Sequence, residues 1–321
     1  MEVKILCGDA LEQLQTLESE SIYTCVTSPP YYNLRDYGVP GQIGQEESPE
    51  EYVNKLVEVF REVRRVLRPD GTLWVNIADS YATRSGAQPP RNTRNTCGHT
   101  AKKVPPGYKV KDLIGVPWML AFALRADGWY LRQDIIWEKP NAMPENVKDR
   151  CTKCHEHIFL LSKQPKYYFD SEAISEPIVG ESTKRYLRKN ENPDGLPRFG
   201  GTKYGDDQSE QSRTKSGKTY TPKSRRNKRD VWTIATKGFK GAHFATFPEK
   251  LIIPCIIAGS PEGGKVLDPF AGSGTTGIVS KKTGRGFVGI ELNPEYAEMA
   301  AQRIAASVAE PKQSKIEECF P

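Results

Sequence analysis

Near the C-terminus an apolar run, Lys265 to Leu267, enters Asp268-Pro269-Phe270-Ala271-Gly272-Ser273-Gly274-Thr275-Thr276, and a helix-compatible stretch, Gly277 to Lys282, follows. This order predicts a strand, a tight loop and a helix start, because Gly272 and Gly274 allow positive φ and close backbone approach. Such a loop turns backbone N–H groups toward an anionic group. The dinucleotide spacing G-x-G-x-x-G is not met, so a carboxylate is a better partner for it than a pyrophosphate. Asp268, at the strand end, is placed to meet an ammonium.

The same architecture extends over much of the chain. Met1 to Leu6 alternates as a strand, and Ser21 to Val26 is a second. From Glu50 to Leu67 the apolar residues Val53, Leu56, Val57, Phe60, Val63 and Leu67 recur at helical spacing, and Pro69-Asp70-Gly71 is expected to stop that helix. Gly71 to Ile77 reads as a buried strand, Val116 to Asp127 as a helix, and Trp129 to Trp137 as a strand. Strands alternating with helices imply an α/β fold with a doubly wound, mainly parallel sheet. Downstream of the glycine loop, Gly286 to Glu291 reads as another strand ending in an acid, the position from which a carboxylate accepts both ribose hydroxyls. A ligand with an amino acid at one end and a ribose at the other matches S-adenosylmethionine.

A glycine turn alone is also what any tight turn requires. The weight comes from Thr27-Ser28-Pro29-Pro30-Tyr31, delivered at the end of the second strand. Two successive prolines fix φ and remove backbone donors, so this backbone is rigid and presents carbonyls. An exocyclic amino group of cytosine or adenine is a poor nucleophile because its lone pair is delocalised into the ring. Two acceptors, the Ser28 hydroxyl and the Pro29 carbonyl, can draw its hydrogens out of plane and free the lone pair for methyl attack. Tyr31 supplies a flat face for a base rotated out of the duplex.

On these residues the chain resembles the amino-methylating DNA methyltransferases, which make N4-methylcytosine or N6-methyladenine. The family's motif IV matches Ser28, Pro29, Pro30 and Tyr31. Its motif I matches Asp268, Pro269, Phe270, Gly272, Ser273, Gly274 and Thr275, and its acidic motif II residue matches Glu291. Gly8-Asp9 resembles the motif III segment, whose Asp contacts the cofactor's adenine. Ala242 to Lys250 resembles motif X, with Phe247 and Pro248 as walls of the cofactor pocket. Motif IV precedes motif I here, which is similar to the β class of the family. The resemblance implies a Rossmann-like methyltransferase fold, S-adenosylmethionine as cofactor and double-stranded DNA as partner. It divides the chain into a catalytic part over 1–170, a target-recognition insertion over 171–240 and a cofactor-binding part over 241–321. It admits a cognate restriction endonuclease and either a monomer or a homodimer. Family members with Ser at the first motif IV position are mostly N4-cytosine enzymes, which favours cytosine over adenine. An RNA or protein-amide methyltransferase and a catalytically silent DNA-binding protein are the alternatives; the basic insertion argues against the second of these and the intact glycine loop against the last.

Charge is unevenly spread. Glu181 to Asp230 holds 14 basic and 7 acidic residues, a net of +7 against +6 for the whole chain of 321 residues. Arg185, Arg188, Lys189, Arg225, Arg226, Lys228 and Arg229, interleaved with Tyr186, Phe199, Tyr204 and Tyr220, suit a phosphate-gripping surface. Residues 81–110, rich in Arg, Asn, Thr, Gly and Pro without an apolar period, read as a mobile loop, either a flap over DNA or a solvated insertion. Seven scattered cysteines suit reduced thiols, and no run long enough to span a bilayer and no leader is seen, so a cytoplasmic location is expected. Cys151-x-x-Cys154 with Cys97-x-His99 upstream raises zinc, but His155-Glu156-His157-Ile158-Phe159-Leu160-Leu161 reads as the start of an alternating strand, similar to a stretch of the family that needs no metal, and no metal is assigned. Trp118, Trp129 and Trp137 are expected in the core. Asp79 either faces the site or caps a helix.

Overall fold

The computed structural model describes residues 2–83, 104–177, 225–236 and 247–307. In chain order its elements are β1 (Val3–Cys7), α1 (Ala10–Gln15), β2 (Ile22–Thr27), α2 (Pro49–Val66), β3 (Leu67–Ile77), α3 (Val116–Ala126), β4 (Tyr130–Glu138), β5 (His155–Ser162), β6 (Glu176–Pro177), β7 (Arg225–Arg226), β8 (Val231–Thr233), α4 (Glu249–Gly259), β9 (Lys265–Asp268), α5 (Thr275–Lys282), β10 (Gly286–Glu291) and α6 (Pro294–Ala306). Two compact units are present, one of Met1–Ala173 with Arg229–Pro321 and one of Ile174–Lys228. In the second, β6 and β7 pair antiparallel, Glu176 opposite Arg226 and Pro177 opposite Arg225.

The first unit is an α/β fold around one eight-stranded sheet of order β1-β10-β9-β2-β3-β5-β4-β8. Neighbouring strands run parallel except where β5 meets β3 and β4. The sheet's apolar residues alternate between its faces. Leu73, Val75, Ile77, Phe159, Leu161, Leu267 and Ile290 share one cluster with the buried residues of α1, α2 and α3. On α2 the buried stripe is Tyr52, Val53, Leu56, Phe60 and Val63, and each large apolar side chain removed from water there stabilises by about 1.5–3 kcal/mol. Ser48 starts the helix by accepting from the Glu51 N–H, Pro49 sits in its first turn, and Arg64 and Arg65 lie in its last. Against the sheet, α4 comes close enough that a Cβ on Gly259 would lie 2.5 Å from Thr24 Oγ1 and 2.8 Å from Thr72 Oγ1.

Two expectations are corrected here. The α2 helix ends at Val66, and β3 begins at Leu67 rather than at Gly71. Pro69-Asp70-Gly71 therefore does not separate the two elements but lies inside the strand. Ile22 pairs with Leu67 and Thr24 with Thr72, so the extra residues bulge out where Pro69 lacks a ladder donor. Trp129 and Trp137 are 2% and 3% exposed, as a core position requires, whereas Trp118 is 39% exposed. It packs at the edge of the core, against Phe122 of its own helix and against His157 and Phe159 of β5.

What matters for function is where β2 and β9 meet. From β2 the chain winds through α2 to β3 on one side, and from β9 it winds through α5 to β10 on the other. Between the carboxyl ends of two such strands a parallel sheet opens a crevice. Thr24 and Cys25 pair with Val266 and Leu267, so the residues that follow each strand emerge side by side. Thr27 and Asp268 close the junction with a 2.6 Å hydrogen bond from hydroxyl to carboxylate.

Candidate active site

A pocket occupies that crevice, and it is lined from both strand ends. On the β9 side are Asp268, Pro269, Phe270, Gly272, Ser273 and Thr275. Gly272 has φ +50° and Gly274 has φ +79°. The two glycines do different things. Gly272 lines the pocket, while Gly274 caps α5 and packs on α6, where a Cβ would lie 3.0 Å from the Ala300 Cβ.

The acids of this side are held by backbone N–H groups and, at Asp268, by two hydroxyls as well. Glu291, at the end of β10, accepts from the Gly272 N–H at 2.8 Å through one oxygen and from the Asn293 N–H at 2.9 Å through the other. Burial raises the Glu291 carboxyl above its ordinary value, against the lowering effect of those N–H groups. Asp9 caps α1 with one oxygen, which accepts from the Leu11 and Glu12 N–H groups, and Gly8, Asp9 and Ala10 all border the pocket. Asp268 is only 1% exposed. Its carboxylate accepts from Thr27 and Thr276 hydroxyls, both at 2.6 Å, and from the Phe270 N–H at 3.1 Å. Burial nevertheless raises it from 3.8 to about 6, with Glu291 adding to the rise. Phe247 completes this side; Pro248, its neighbour, serves as the N-cap of α4.

On the β2 side Ser28, Pro29, Pro30 and Tyr31 line the same pocket. The Pro30 carbonyl accepts from the buried Tyr52 hydroxyl at 2.7 Å, which pins the double-proline segment to α2. Ser28 Oγ lies 3.4 Å from Tyr31 Oη. The Tyr31 hydroxyl reaches on to Glu156 at 2.7 Å. Burial first, and then the Glu156 charge, hold that hydroxyl well above the ordinary tyrosine range, so it remains a donor.

A third wall has no counterpart among the residues singled out in the sequence. Leu34, Arg35, Tyr37, Val39, Gln42 and Ile43 border the pocket from the loop that follows Tyr31. The loop is tied by its own side chains. Gln42 accepts from the Tyr37 N–H at 2.7 Å, and both Gln42 and Gln45 donate to the Arg35 carbonyl. Gly38, Gly41 and Gly44, all at positive φ, are the one sequence signal that could have marked it. Leu292, Asn293 and Tyr296, just past Glu291, also border the pocket.

Other expected positions are placed less centrally. Asp79 caps α3, accepting from the Gly115 and Val116 N–H groups at 2.9 and 3.1 Å. Arg225 donates to both the hydroxyl and the carbonyl of Ser175, and Arg226 pairs with Glu176 at 2.9 Å. Arg229 belongs to the first unit, where its carbonyl accepts from the Trp232 indole. Arg185, Arg188 and Lys189 lie outside the described residues, as do Cys97, His99 and residues 84–103 of the loop expected over 81–110. The described ends of that loop are anchored, Ala82 exchanging backbone hydrogen bonds with Lys111 and Asp112. Cys151 and Cys154 are exposed free thiols, and no cluster of three or more metal-binding side chains occurs among the described residues. Nor is any described helix long and apolar enough to cross a membrane.

The pocket is thus lined by two sets of polar groups, one at the ends of β9 and β10 and one at the end of β2, and comparison with known proteins gives the chain's family. A family model described as DNA methylase, of the N6/N4 methyltransferase type, matches residues 22–302. The chain is 48% identical over 304 residues to the Type II methyltransferase M.SmaI of Serratia marcescens, covering 94% of this chain and 90% of the relative. It is 46% identical over 299 residues to M.Cfr9I of Citrobacter freundii, covering 92% and 86%. The PvuII DNA methyltransferase, described as cytosine-N4-specific, shares the fold at a TM-score of 0.63 and 19% identity, over 99% of this chain and 91% of that one. A protein of Thermus thermophilus, described as a DNA modification methylase and solved with S-adenosyl-L-methionine, matches at a TM-score of 0.57 and 25% identity over 95% and 96%. The chain therefore belongs to the N6/N4 family of DNA methylases.

Proposed function

We propose that the protein transfers a methyl group from S-adenosylmethionine to the exocyclic N4 of a cytosine flipped out of duplex DNA, at a specific site. The observation that carries this reading is the sharing of one pocket by Ser28–Tyr31 and by the Gly272 loop with Glu291. The donor set fits the cofactor. Glu291 offers lone pairs to ribose hydroxyls, Asp9 borders the adenine end, Phe247 and Phe270 provide apolar walls, and Asp268 supplies a negative charge for the ammonium. When bound, the cofactor supplies an electrophilic methyl group on a sulfonium.

The chain's own residues handle the amine. Ser28 Oγ and the Pro29 carbonyl accept its two hydrogens, and Tyr31 stacks on the ring. Orientation and electrostatic polarisation carry the rate, with no covalent enzyme intermediate. Arg225, Arg226, Lys228 and Arg229 are the described candidates for phosphate contacts; the partners that Arg225 and Arg226 hold within their own unit reduce their share in gripping DNA. The region over 171–240 acts as target-recognition insertion. That M.SmaI and M.Cfr9I are Type II methyltransferases supports this class of reaction; a cytoplasmic location and a cognate restriction endonuclease are part of the same proposal.

The serine at the head of motif IV favours cytosine, and N6 of adenine is the second reading. Incubation with mixed-sequence duplex DNA and methyl-labelled S-adenosylmethionine, digestion to nucleosides and mass analysis separates them. N4-methylcytosine is expected; N6-methyladenine reverses the base, and no labelled nucleoside overturns the reading.

A further inference from the structure

Behind the β2 wall, away from the cofactor side, lies a buried charged pair. Glu156 on β5 is 8% exposed and forms an ion pair with Lys139, which follows β4 and rests over the Trp137 ring at 4.4 Å. Asn76, near the end of β3, donates through one amide nitrogen to Glu156 Oε2 at 3.0 Å and to the His157 carbonyl at 3.2 Å. Tyr31 Oη is 2.7 Å from the same Glu156 oxygen and 3.3 Å from Asn76 Oδ1. Burying an ion pair at such a place brings little net stability compared with apolar packing, which turns attention to what the carboxylate does for its neighbours.

A phenol has one hydrogen to give. Glu156 is the nearer and the charged acceptor, so that hydrogen goes to it. The Tyr31 oxygen is then left with lone pairs toward Ser28, and the Ser28 hydrogen points to Tyr31. A serine hydroxyl can both donate and accept, and an amino group needs it to accept. The chain Glu156, Tyr31, Ser28 leaves the Ser28 lone pairs as the only capacity it can turn into the pocket.

We propose that Glu156 is a positioning residue that sets the direction of this hydrogen-bond chain, making Ser28 an obligate acceptor for the target amino group and fixing the Tyr31 ring. Lys139 and Asn76 hold the Glu156 side chain in orientation. The inference rests on the methyl-transfer reading above and deepens it: it explains how a neutral serine serves where only acceptor capacity is useful. The carboxylate also faces, through two hydrogen bonds, the positive charge that grows on the amine nitrogen as its lone pair is used.

Glu156→Gln tests the direction. A glutamine can satisfy Lys139 with its carbonyl oxygen only by turning its NH2 toward Tyr31 and Asn76, which reverses the chain. Tyr31→Phe cuts it while keeping the ring. The measurement is kcat and KM for duplex DNA, and cofactor Kd, in the wild type, both single variants and the double variant. Each single change is expected to lower kcat by about tenfold to a hundredfold, with KM and Kd within about twofold. The double variant should be no slower than the slower single, since both break one chain. A Glu156→Gln kcat within about twofold of wild type, or losses that multiply in the double variant, overturns the role. If Glu156→Gln fails to fold, Tyr31→Phe alone decides, and a turnover within about twofold of wild type overturns the role equally. A wild-type protein that yields no methylated nucleoside overturns both this and the methyl-transfer reading, whereas an active wild type with unaffected variants overturns Glu156 alone.

Discussion

The two walls of the pocket are polar in different ways. On the cofactor side each acid is tied to groups within a few residues or on an adjacent strand: Glu291 to Gly272 and Asn293, Asp9 to its own helix, Asp268 to Thr27, Thr276 and Phe270. On the target side Ser28 and Tyr31 run back to Glu156, Asn76 and Lys139, brought together from three other strands or their ends. On the proposed reading the first arrangement holds fixed charges for a charged ligand, and the second sets the direction of hydrogen bonds for a neutral one. Damage to the first should appear in cofactor affinity and damage to the second in turnover.

The largest expected effect breaks the comparison at Ser28. Ser28→Ala removes the acceptor but nothing that touches the cofactor wall, so kcat should fall by about a hundredfold or more while cofactor Kd, measured by calorimetry, stays within about twofold. Unchanged turnover would remove Ser28 from the chemistry. Glu291→Ala is the counterpart. Loss of a charged acceptor for ribose hydroxyls should weaken cofactor binding by about tenfold to a hundredfold, with turnover at saturating cofactor much less affected. A saturating kcat that falls as far as the affinity would mean that the two walls are not separable.

The first wall was readable in the sequence and the second only in part, for the same physical reason. Asp268, Gly272, Glu291 and Ser28–Tyr31 advertise themselves because glycines, prolines and strand-end acids constrain the backbone locally. Glu156 sits 125 positions from Tyr31, inside a segment legible only as a strand, and nothing near it in sequence signals a partner. Asp79 caps a helix 36 residues away, which local spacing cannot reveal. The loop bearing Leu34 to Ile43 is a pocket wall only because its glutamines fold it back on Arg35. Pro69-Asp70-Gly71 reads as a stop because a bulge depends on the neighbouring strand's register, which lies outside the segment. Composition also overrates Arg225 and Arg226 as free cations, since charge counting does not see Ser175 and Glu176.

A smaller effect sharpens the account of the cofactor wall. Asp268 is raised from 3.8 to about 6 chiefly by burial, so in the cofactor-free protein its contribution to stability is greatest below 3.8 and is lost as pH rises through about 6. Keeping it ionised at neutral pH costs about 3 kcal/mol, which a ligand ammonium would offset. Cofactor binding should therefore tighten as pH rises from 5 to 7, by up to about tenfold per unit below 6 and little above it. Glu291 is also raised by burial and would contribute in the same direction, so the profile is best measured in Glu291→Gln as well. A flat profile in both proteins would separate Asp268 from the ammonium.

The smallest effect tests the junction between the walls. Thr27 ends β2, one residue before Ser28, yet its hydroxyl serves Asp268 at the end of β9. Thr27→Val keeps the shape and removes that donor, leaving the Asp268 carboxylate with the Thr276 hydroxyl and the Phe270 N–H. Because the Thr27 bond lowers the Asp268 value against burial, its loss should move the knee of the cofactor-affinity profile to higher pH. Stability should respond in the same sense. The variant should be close to wild type at pH 5, where the carboxyl is largely protonated, and less stable by about 1–3 kcal/mol at pH 8, where an ionised group has lost a charged hydrogen bond. Turnover at saturating cofactor should change little, since Ser28 still emerges from the same strand between the same prolines and Tyr52. A shift of the knee without loss of turnover would mean that the walls share a strand but not a task; a loss of turnover equal to that of Ser28→Ala would mean that Thr27 positions Ser28 through the backbone, and that the charge on Asp268 and the direction of the Ser28 hydroxyl are set together.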